Sequence, residues 1–543
     1  MNKIIFSKQS SGYPYIYGNG KGIFRELTGF KSSAGSVIFR ESEKSALFVD
    51  GRYTAAAKRS IDSQKFDILD LSNKVILDWI FENIPNGEKI FLDAAAFSLS
   101  EMNFWEEKLR GYSVDFHDFS DFRKNNDTPR QKLQLYKIPS LKNELQAKLI
   151  PLFKTISDNK LDAYLLCDPC SISWCLNIRD LNTPHSKVVL ARMLITAQNQ
   201  IILYFDDDYV FDSEIIYKLQ KNLPAELKKY ARVGTDFSEA PCCIKSENLI
   251  DIKNPLIFPK SIKNNSEIQN MREAAKKDSV AIINFLYWFH NCGKKISELE
   301  AAEKILQFRR QQSGFIGESF ECIAAADENS AIVHYEPDEK NNAIVKNILL
   351  LDSGGQYFHG TTDITRTVAL QTPSPEQRLF YTLVLKGHIA LAQAKFSKNT
   401  TAAQLDCLAR QFLQVKNANY AHGTGHGVGY FSNVHEGPVS ISPHCEKTLS
   451  PGMILTNEPG YYQENAFGIR LENMMLVKNA LGNQLQFEIL SLVPFDLKFI
   501  EKSLLTESEI SWLNEYHEKI FSEISSLLEP NIAAWLKYVI HWH

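Results

Sequence analysis

The sequence predicts an α/β (α+β) chain of more than one domain, on three observations. Its 543 residues exceed what one ordinary hydrophobic core supports. Short β-like runs alternate with amphipathic helical stretches through about residue 262, and the alternation occurs as two similar modules. From there to the C-terminus the order helix, helix, paired strands occurs twice, a repeat of element order and not of residues.

The first module, residues 1–138, carries SALFVD ending at Asp50 and KIFLDAAA from Lys89. The second, 139–262, starts near Pro139. A helical pattern from Lys142 leads into the strand AYLLC, then SISWCLNIRD, the strand-like VVLARMLIT and IILYF, before a run of acids at Asp206 to Asp208. The charged stretch Lys260 to Ser266 reads as a linker into the last domain, 263–543.

That domain opens with a helix over about Ser266 to Phe289. A second helix starts at the capping box Ser297-x-x-Glu300 and carries Leu299, Ala302 and Leu306 on one stripe. The strand-like NILLLDSGGQYF and TTDITRTVAL follow. The second helix pair begins where Ser374 caps, Pro375 fits the first turn and Gln377 closes the box, and continues from the box Thr401-x-x-Gln404. MILTNEP and GIRLENMMLV are its strands. Two halves packed face to face, with a site between their sheets, are expected.

Composition removes several function classes. Lys and Arg number 60 against 64 Asp and Glu, a formal charge of -4, which leaves no global field to hold nucleic acid or an acidic membrane. The nine cysteines are scattered, and Cys242 and Cys243 are adjacent, which suits a reducing cytoplasmic setting. The N-terminal run turns polar too early for a signal peptide, and no stretch approaches the ~18 to 20 apolar residues of a membrane span. Cys167-x-x-Cys170 lacks a second pair at zinc-ribbon spacing and reads as buried structure. The lysines of EAAKKDSVAI read as a solvated helix face, and Trp512, Tyr516, Trp535 and Trp542 as core.

Chemistry concentrates in the last domain, where Asp352, Asp363, His426, Glu458 and Glu472 lie at strands or glycine-rich turns. Asp352 ends an apolar strand and Asp363 stands eleven residues on, so antiparallel pairing sets two carboxylates side by side. Like charges that close demand a cation or a shared proton. In GIRLENMM the period of two puts Ile469 and Leu471 on one face and Arg470 with Glu472 on the other. Singly, each acid would read as a salt bridge or turn cap; jointly they form a hard, oxygen-rich set suited to manganese(II), magnesium or cobalt, with zinc or iron as alternatives. Two cations ~3.5 to 4 Å apart, with a hydroxide between them, use so many carboxylates better than one. Beside them HGTGHGVGYFSNVHEGP places His422, His426 and His435 within fourteen positions among five glycines, which let backbone approach a ligand closely.

The blocks LLDSGGQYFHGTTDITRT, HGTGHGVGYFSNVHEGP and TNEPGYYQENAFGIRLEN resemble those of the Xaa-Pro aminopeptidase (aminopeptidase P) family of pita-bread metallopeptidases. RELTGFKSSAGSVIF, SALFVDGRY, the NIRD at Asn177 to Asp180 and the tail SLVPFDLKFI extend the resemblance over nearly the whole chain, to the long, three-domain cytosolic form. The chain departs from that form in being shorter and in a trimmed loop, Ser440 to Leu449.

The resemblance implies two creatinase-like α/β domains followed by a pita-bread catalytic domain with an internal pseudo-twofold repeat. It implies two divalent metal ions, manganese(II) first and zinc or cobalt as alternatives. Asp352 would chelate one, Asp363 and Glu472 bridge the pair, and His426 with Glu458 hold the other, while His334, His422, His435 and Arg470 line the substrate cleft. The implied reaction is hydrolysis of the N-terminal Xaa-Pro bond of peptides by a metal-bridged hydroxide. Glu458 relays its proton, His435 donates to the proline carbonyl, and His422 or His334 donates to the oxyanion. A cytoplasmic homodimer joined through the catalytic domain is also implied. The rival activities are prolidase, which needs a cationic clamp on the proline carboxylate, and a non-catalytic peptide-binding module, expected to lack one or more ligands.

Overall fold

The structure is a computed structural model that describes residues 3–9, 23–119, 133–139, 144–205 and 215–542. Two compact units emerge: Met1–Thr183 with Val188–Ile257, and Pro184–Lys187 with Phe258–His543. The expected helical start at Lys142 and the acids Asp206 to Asp208 lie outside the described residues.

The first unit contains one topology built twice. In spatial order, the first six-stranded sheet runs Phe66–Asp70, Ser45–Val49, Gly35–Arg40, Ile4–Gln9, Lys89–Asp93, Ser113–His117. The second runs Ile215–Lys218, Ile201–Tyr204, Arg192–Thr196, Ala163–Leu166, Val233–Thr235, Leu249–Asp251. In each, the first three strands in sequence form an antiparallel meander and the remaining three pair in parallel. The repeated module expected from the sequence is therefore a repeat of strand order. SISWCLNIRD divides into a helix, Pro169–Leu176, and a short strand, Ile178–Asp180, because Asp168 caps the helix through the Cys170 and Ser171 amides and Asn177 ends it in a left-handed conformation. Cys167 and Cys170 are buried and unbridged, and burial pushes the Cys167 thiol up to about 12, so it is an inert hydrophobe.

In the second unit the two helix pairs stand where the sequence puts them, although the box expected at Ser297 and Glu300 is made only by the Ser297 side chain. Asn265–Asn291 starts at a capping box of Asn264 and Glu267, and Glu298–Arg310 is capped by Ser297. Pro375–Ala392 and Ala402–Gln414 carry the full boxes read from Ser374 and Thr401. The first pair accompanies a three-stranded antiparallel sheet of Ile323–Ala326, Ile348–Ser353 and Ile364–Ala369. The second accompanies a six-stranded sheet that includes Gly425–Gly427, Glu436–Ile441, Ile454–Asn457 and Asn473–Asn479. Trp512 stacks on buried Tyr516 in the C-terminal core, and Trp535 packs edge-on to Tyr287.

Two expectations are corrected, and a third gains detail. The stripe on Glu298–Arg310 that faces inward is Glu298, Ala301, Ile305 and Arg309, one position round from Leu299, Ala302 and Leu306. The helix can turn two charged residues inward because each finds partners there, although Arg309 Nη1 has none among the described residues. Arg309 Nε and Nη2 donate to Asp278 at 2.7 and 3.1 Å, and Glu298 accepts from the amides of Ala326 and Ala343 and from Tyr335 OH. Within the stretch Lys260 to Ser266, read as a linker, Lys260 and Lys263 are buried and both pair with buried Glu436. GIRLENMMLV is not one strand, since Phe467–Arg470 pairs with Gly460–Gln463 while Asn473–Asn479 joins the large sheet.

Replacing Arg309 by Met should lower unfolding stability by about 3 to 5 kcal/mol in urea titrations, because Asp278 is left charged and buried. The double change Arg309→Met/Asp278→Leu should recover most of that loss.

Candidate metal centre

The centre is assembled where the three-stranded sheet of Asp352 and the six-stranded sheet flank the short connection Leu471–Glu472. Asp352 lies in the middle strand of the three-stranded sheet, opposite Thr365 on one side and Ile323 on the other. Asp363 stands just before Ile364–Ala369, not within it, and so is diagonal to Asp352 instead of directly opposite. The period of two puts Asp363 and Thr365 on the same face, and Thr365 Oγ1 donates to Glu472 Oε2 at 2.7 Å.

Glu472 arrives at this face because the chain alternates through Arg470 and Leu471 although its ladder breaks there. Ile469 and Leu471 enter the core, while Arg470 and Glu472 turn to the acids. Two core groups steady the crossing. Arg366 donates to the Glu472 carbonyl at 2.6 Å. His388, pushed down to about 3 by burial and hence neutral, lies with Nδ1 3.2 Å from the Leu471 carbonyl and accepts from Asn473 Nδ2 at 3.2 Å.

The large sheet supplies the rest. His426 Nδ1 is 3.0 Å from the Gly427 carbonyl and must carry the proton there, which leaves the Nε2 lone pair to face Asp363 Oδ2 at 3.3 Å and Glu458 Oε1 at 3.6 Å. Thr456, two residues before Glu458, accepts from the His426 amide and donates to Glu458 Oε1. The glycines around His426 serve strand crowding: a Cβ on Gly425 would come within 2.0 Å of the Thr456 carbonyl oxygen, and one on Gly427 within 2.2 Å of that of Glu436. The preceding histidine loop is gripped by Arg410, which donates to the carbonyls of Tyr420 and His422 and is itself paired with Asp406.

Candidate ligand atoms of Asp363, His426 and Glu472 all lie within 4.8 Å of one another. Burial first, then the charges of Asp352 and Glu458, push the Asp363 carboxyl well above its ordinary range. Burial and the neighbouring acids do the same to Glu472, and burial raises Glu458 against the pull of His426 and Arg470. Asp352 Oδ2 is taken by Arg470 Nε and Nη2, at 3.2 and 2.7 Å, but Oδ1 is buried and, among the described residues, has no hydrogen-bond partner. An orphaned carboxylate oxygen, an imidazole nitrogen facing acids, and three carboxyls that resist ionisation together fit a cationic group of hard-ligand preference.

Of the residues expected along the cleft, Arg470 is buried, and its guanidinium bonds Asp352, Thr365 and Tyr462. Tyr462 OH accepts from Arg470 Nη1 at 2.8 Å and lies within hydrogen-bond distance of His422 Nε2, also at 2.8 Å. His422 Nδ1 is 2.7 Å from the Gly423 carbonyl, so both its ring nitrogens are engaged. His435 is exposed, with its ring 4.2 Å from that of His426, and His334 is half-buried at the turn before Tyr335. Thr365, Thr456 and Tyr462 were not singled out from sequence. The two threonines stand two residues from a predicted ligand, a spacing that could have found them, whereas Tyr462 carries no such signal.

Models of known families cover almost the whole chain. Metallopeptidase family M24 matches residues 269–479 and the C-terminal region of peptidase M24 matches 483–540. Two Creatinase/Prolidase N-terminal domain models match 26–124 and 124–267. A probable Xaa-Pro aminopeptidase P of Arthroderma gypseum is 31% identical, over 95% of this chain and 89% of its own length. Xaa-Pro aminopeptidase 1 of Dictyostelium discoideum is 31% identical over 93% and 87%. Among solved structures, X-prolyl aminopeptidase from Caenorhabditis elegans, described as a cytosolic enzyme with a di-nuclear active site, superposes with a TM-score of 0.89 over 99% of this chain and 95% of its own, at 28% identity. Xaa-Pro dipeptidase from Bacillus anthracis shares the fold over 65% of this chain and 99% of its own, with a TM-score of 0.55 and 24% identity.

The raised carboxyls fix a pH dependence for metal-free protein. A carboxyl whose folded pKa exceeds its unfolded value of about 4 costs stability as pH rises from that value through the folded one. Glu472→Gln removes one such group. In chelator-treated protein the variant should gain stability over the unaltered chain as pH is raised above about 4, and with saturating manganese(II) the order should reverse. Thermal midpoints across pH, with and without the ion, measure both signs.

Proposed function

We infer the activity from one premise: this chain belongs to metallopeptidase family M24, with the Xaa-Pro aminopeptidase P proteins. It hydrolyses the bond between the N-terminal residue of a peptide and a proline in second place. The observation that carries this reading is the convergence of Asp363, His426 and Glu472, beside Glu458 and Asp352, in a chain alike over most of its length to proteins named for that activity.

Asp352, Asp363, His426, Glu458 and Glu472 would hold two divalent cations, and the family resemblance would have Asp363 and Glu472 serve both. Manganese(II) is the first candidate, with zinc or cobalt behind it. Bound there, the pair supplies a water of lowered pKa and positive charge to polarise the scissile carbonyl. Glu458, whose burial raises its proton affinity, accepts the proton of that water and returns it to the leaving nitrogen. The proline nitrogen is a tertiary amide with no hydrogen of its own, so delivery of that proton is what lets it depart. His435, exposed beside His426, donates to the carbonyl of the proline residue. His334 is assigned to the oxyanion in preference to His422, whose two nitrogens are already occupied.

Arg470 is committed to Asp352 and Tyr462, which supports an aminopeptidase over a prolidase needing a cation on the proline carboxylate. The three-domain division at 138 and 262, a cytoplasmic setting and a homodimer through the catalytic domain complete the proposal. The two sheets of like topology in the first unit support the division.

With manganese(II) present, Arg-Pro-Pro should be cleaved in preference to Gly-Pro. The reverse preference would establish a dipeptidase instead. Glu458→Gln should lower kcat by at least ~100-fold. His435→Ala should lower it by roughly 100-fold or more with metal content and fold retained, and full turnover by either variant would remove the role assigned to it.

A further inference from the structure

We propose that Glu436, held between Lys260 and Lys263, is a positioning residue for His435. The inference rests on the role given to His435 above. Lys260, Lys263 and Glu436 are 5%, 3% and 4% exposed, so three charges are buried together with a net charge of one cation. Burying ions is costly, and an apolar trio of similar volume would pack as well. What the ions add is direction. Glu436 Oε2 accepts from Lys260 Nζ at 3.1 Å and Oε1 accepts from Lys263 Nζ, so the carboxylate cannot turn about its own axis.

The place of Glu436 in the sheet gives that direction its use. It follows His435 directly and pairs with Gly427, which follows His426. The ladder opposite His426 jumps from Ser440 to Glu436, leaving residues 437–439 out of register. Backbone pairing therefore holds this end of the strand weakly. The lysines replace it from a segment that is itself fixed: the Lys263 amide donates to the Gly452 carbonyl at 2.9 Å, Ile262 bridges Met453, and Lys263 Nζ also donates to the Ser261 carbonyl. On the other side Asn433 Nδ2 donates to the His435 carbonyl at 2.8 Å. Held from both flanks, the exposed His435 ring stays 4.2 Å from the His426 ring.

A double-mutant cycle on the metal-loaded full chain tests this. Glu436→Gln should lower kcat on an Xaa-Pro-Yaa peptide about tenfold or more with metal stoichiometry unchanged, and Glu436→Gln/His435→Ala should be no slower than His435→Ala alone. Additive losses, or an unaffected kcat, would overturn the proposal. Because Glu436→Gln leaves two buried lysines without a counter-ion, a second variant, Lys260→Met/Lys263→Met/Glu436→Leu, separates stability from positioning. It should regain the thermal midpoint yet remain slow, and full activity there would also overturn the proposal. Histidine-selective isotope labelling observes the ring without substrate. The His435 resonance, assigned by its loss in His435→Ala, should move in Glu436→Gln. A stationary resonance counts against positioning, whereas failure of the unaltered protein to cleave any Xaa-Pro peptide counts against the aminopeptidase reading alone.

Discussion

Four carboxylates and one imidazole, drawn from segments as far apart as Asp352 and Glu472, occupy a buried space in which they repel one another, and the surrounding structure is organised around that repulsion. Burial raises the proton affinity of Asp363, Glu458 and Glu472, and each acid then raises its neighbours further. A cluster of this kind persists only if cations or protons are supplied. Asp352 shows both halves of the arrangement: one oxygen is satisfied by Arg470, and the other is without a hydrogen-bond partner among the described residues.

The supporting groups share one design, in which a buried cation or neutral donor fixes each acid's neighbour and leaves the acid's remaining oxygen to the centre. Arg470 holds Asp352 and continues through Tyr462 to His422. Arg366 bonds carbonyls on both sides of the crossing, including that of Glu472, and so carries positive charge close to the acids. Lys260 and Lys263 do for Glu436, and hence for the histidine strand, what Arg410 does for the loop before it.

Much of the centre was legible before the fold because its residue types are incompatible with an ordinary core. Five potential ligands beside glycines, and the alternation Ile469, Arg470, Leu471, Glu472, carry chemical meaning at the level of period and charge. The capping boxes at Ser374 and Thr401 were equally legible, as each is a local hydrogen-bond pattern. Misreadings arose wherever a charge was judged by its neighbours in sequence. The stripe read from Leu299, Ala302 and Leu306 is displaced because Glu298 and Arg309 are buried against partners up to 45 residues away, and nothing beside Lys260 in sequence points to Glu436, 176 residues on.

By itself the sequence determined the two similar α/β modules, the capped helices that follow them, and the acids and histidines that the fold gathers, because periodicity, caps and residue chemistry are local properties. Tertiary structure alone decided the register that sets Asp363 diagonal to Asp352, the break in the strand after Arg470, the engagement of both His422 nitrogens and the burial of the lysine pair. These depend on distances between segments that no local pattern encodes, and on desolvation, which has no meaning until the chain encloses a volume.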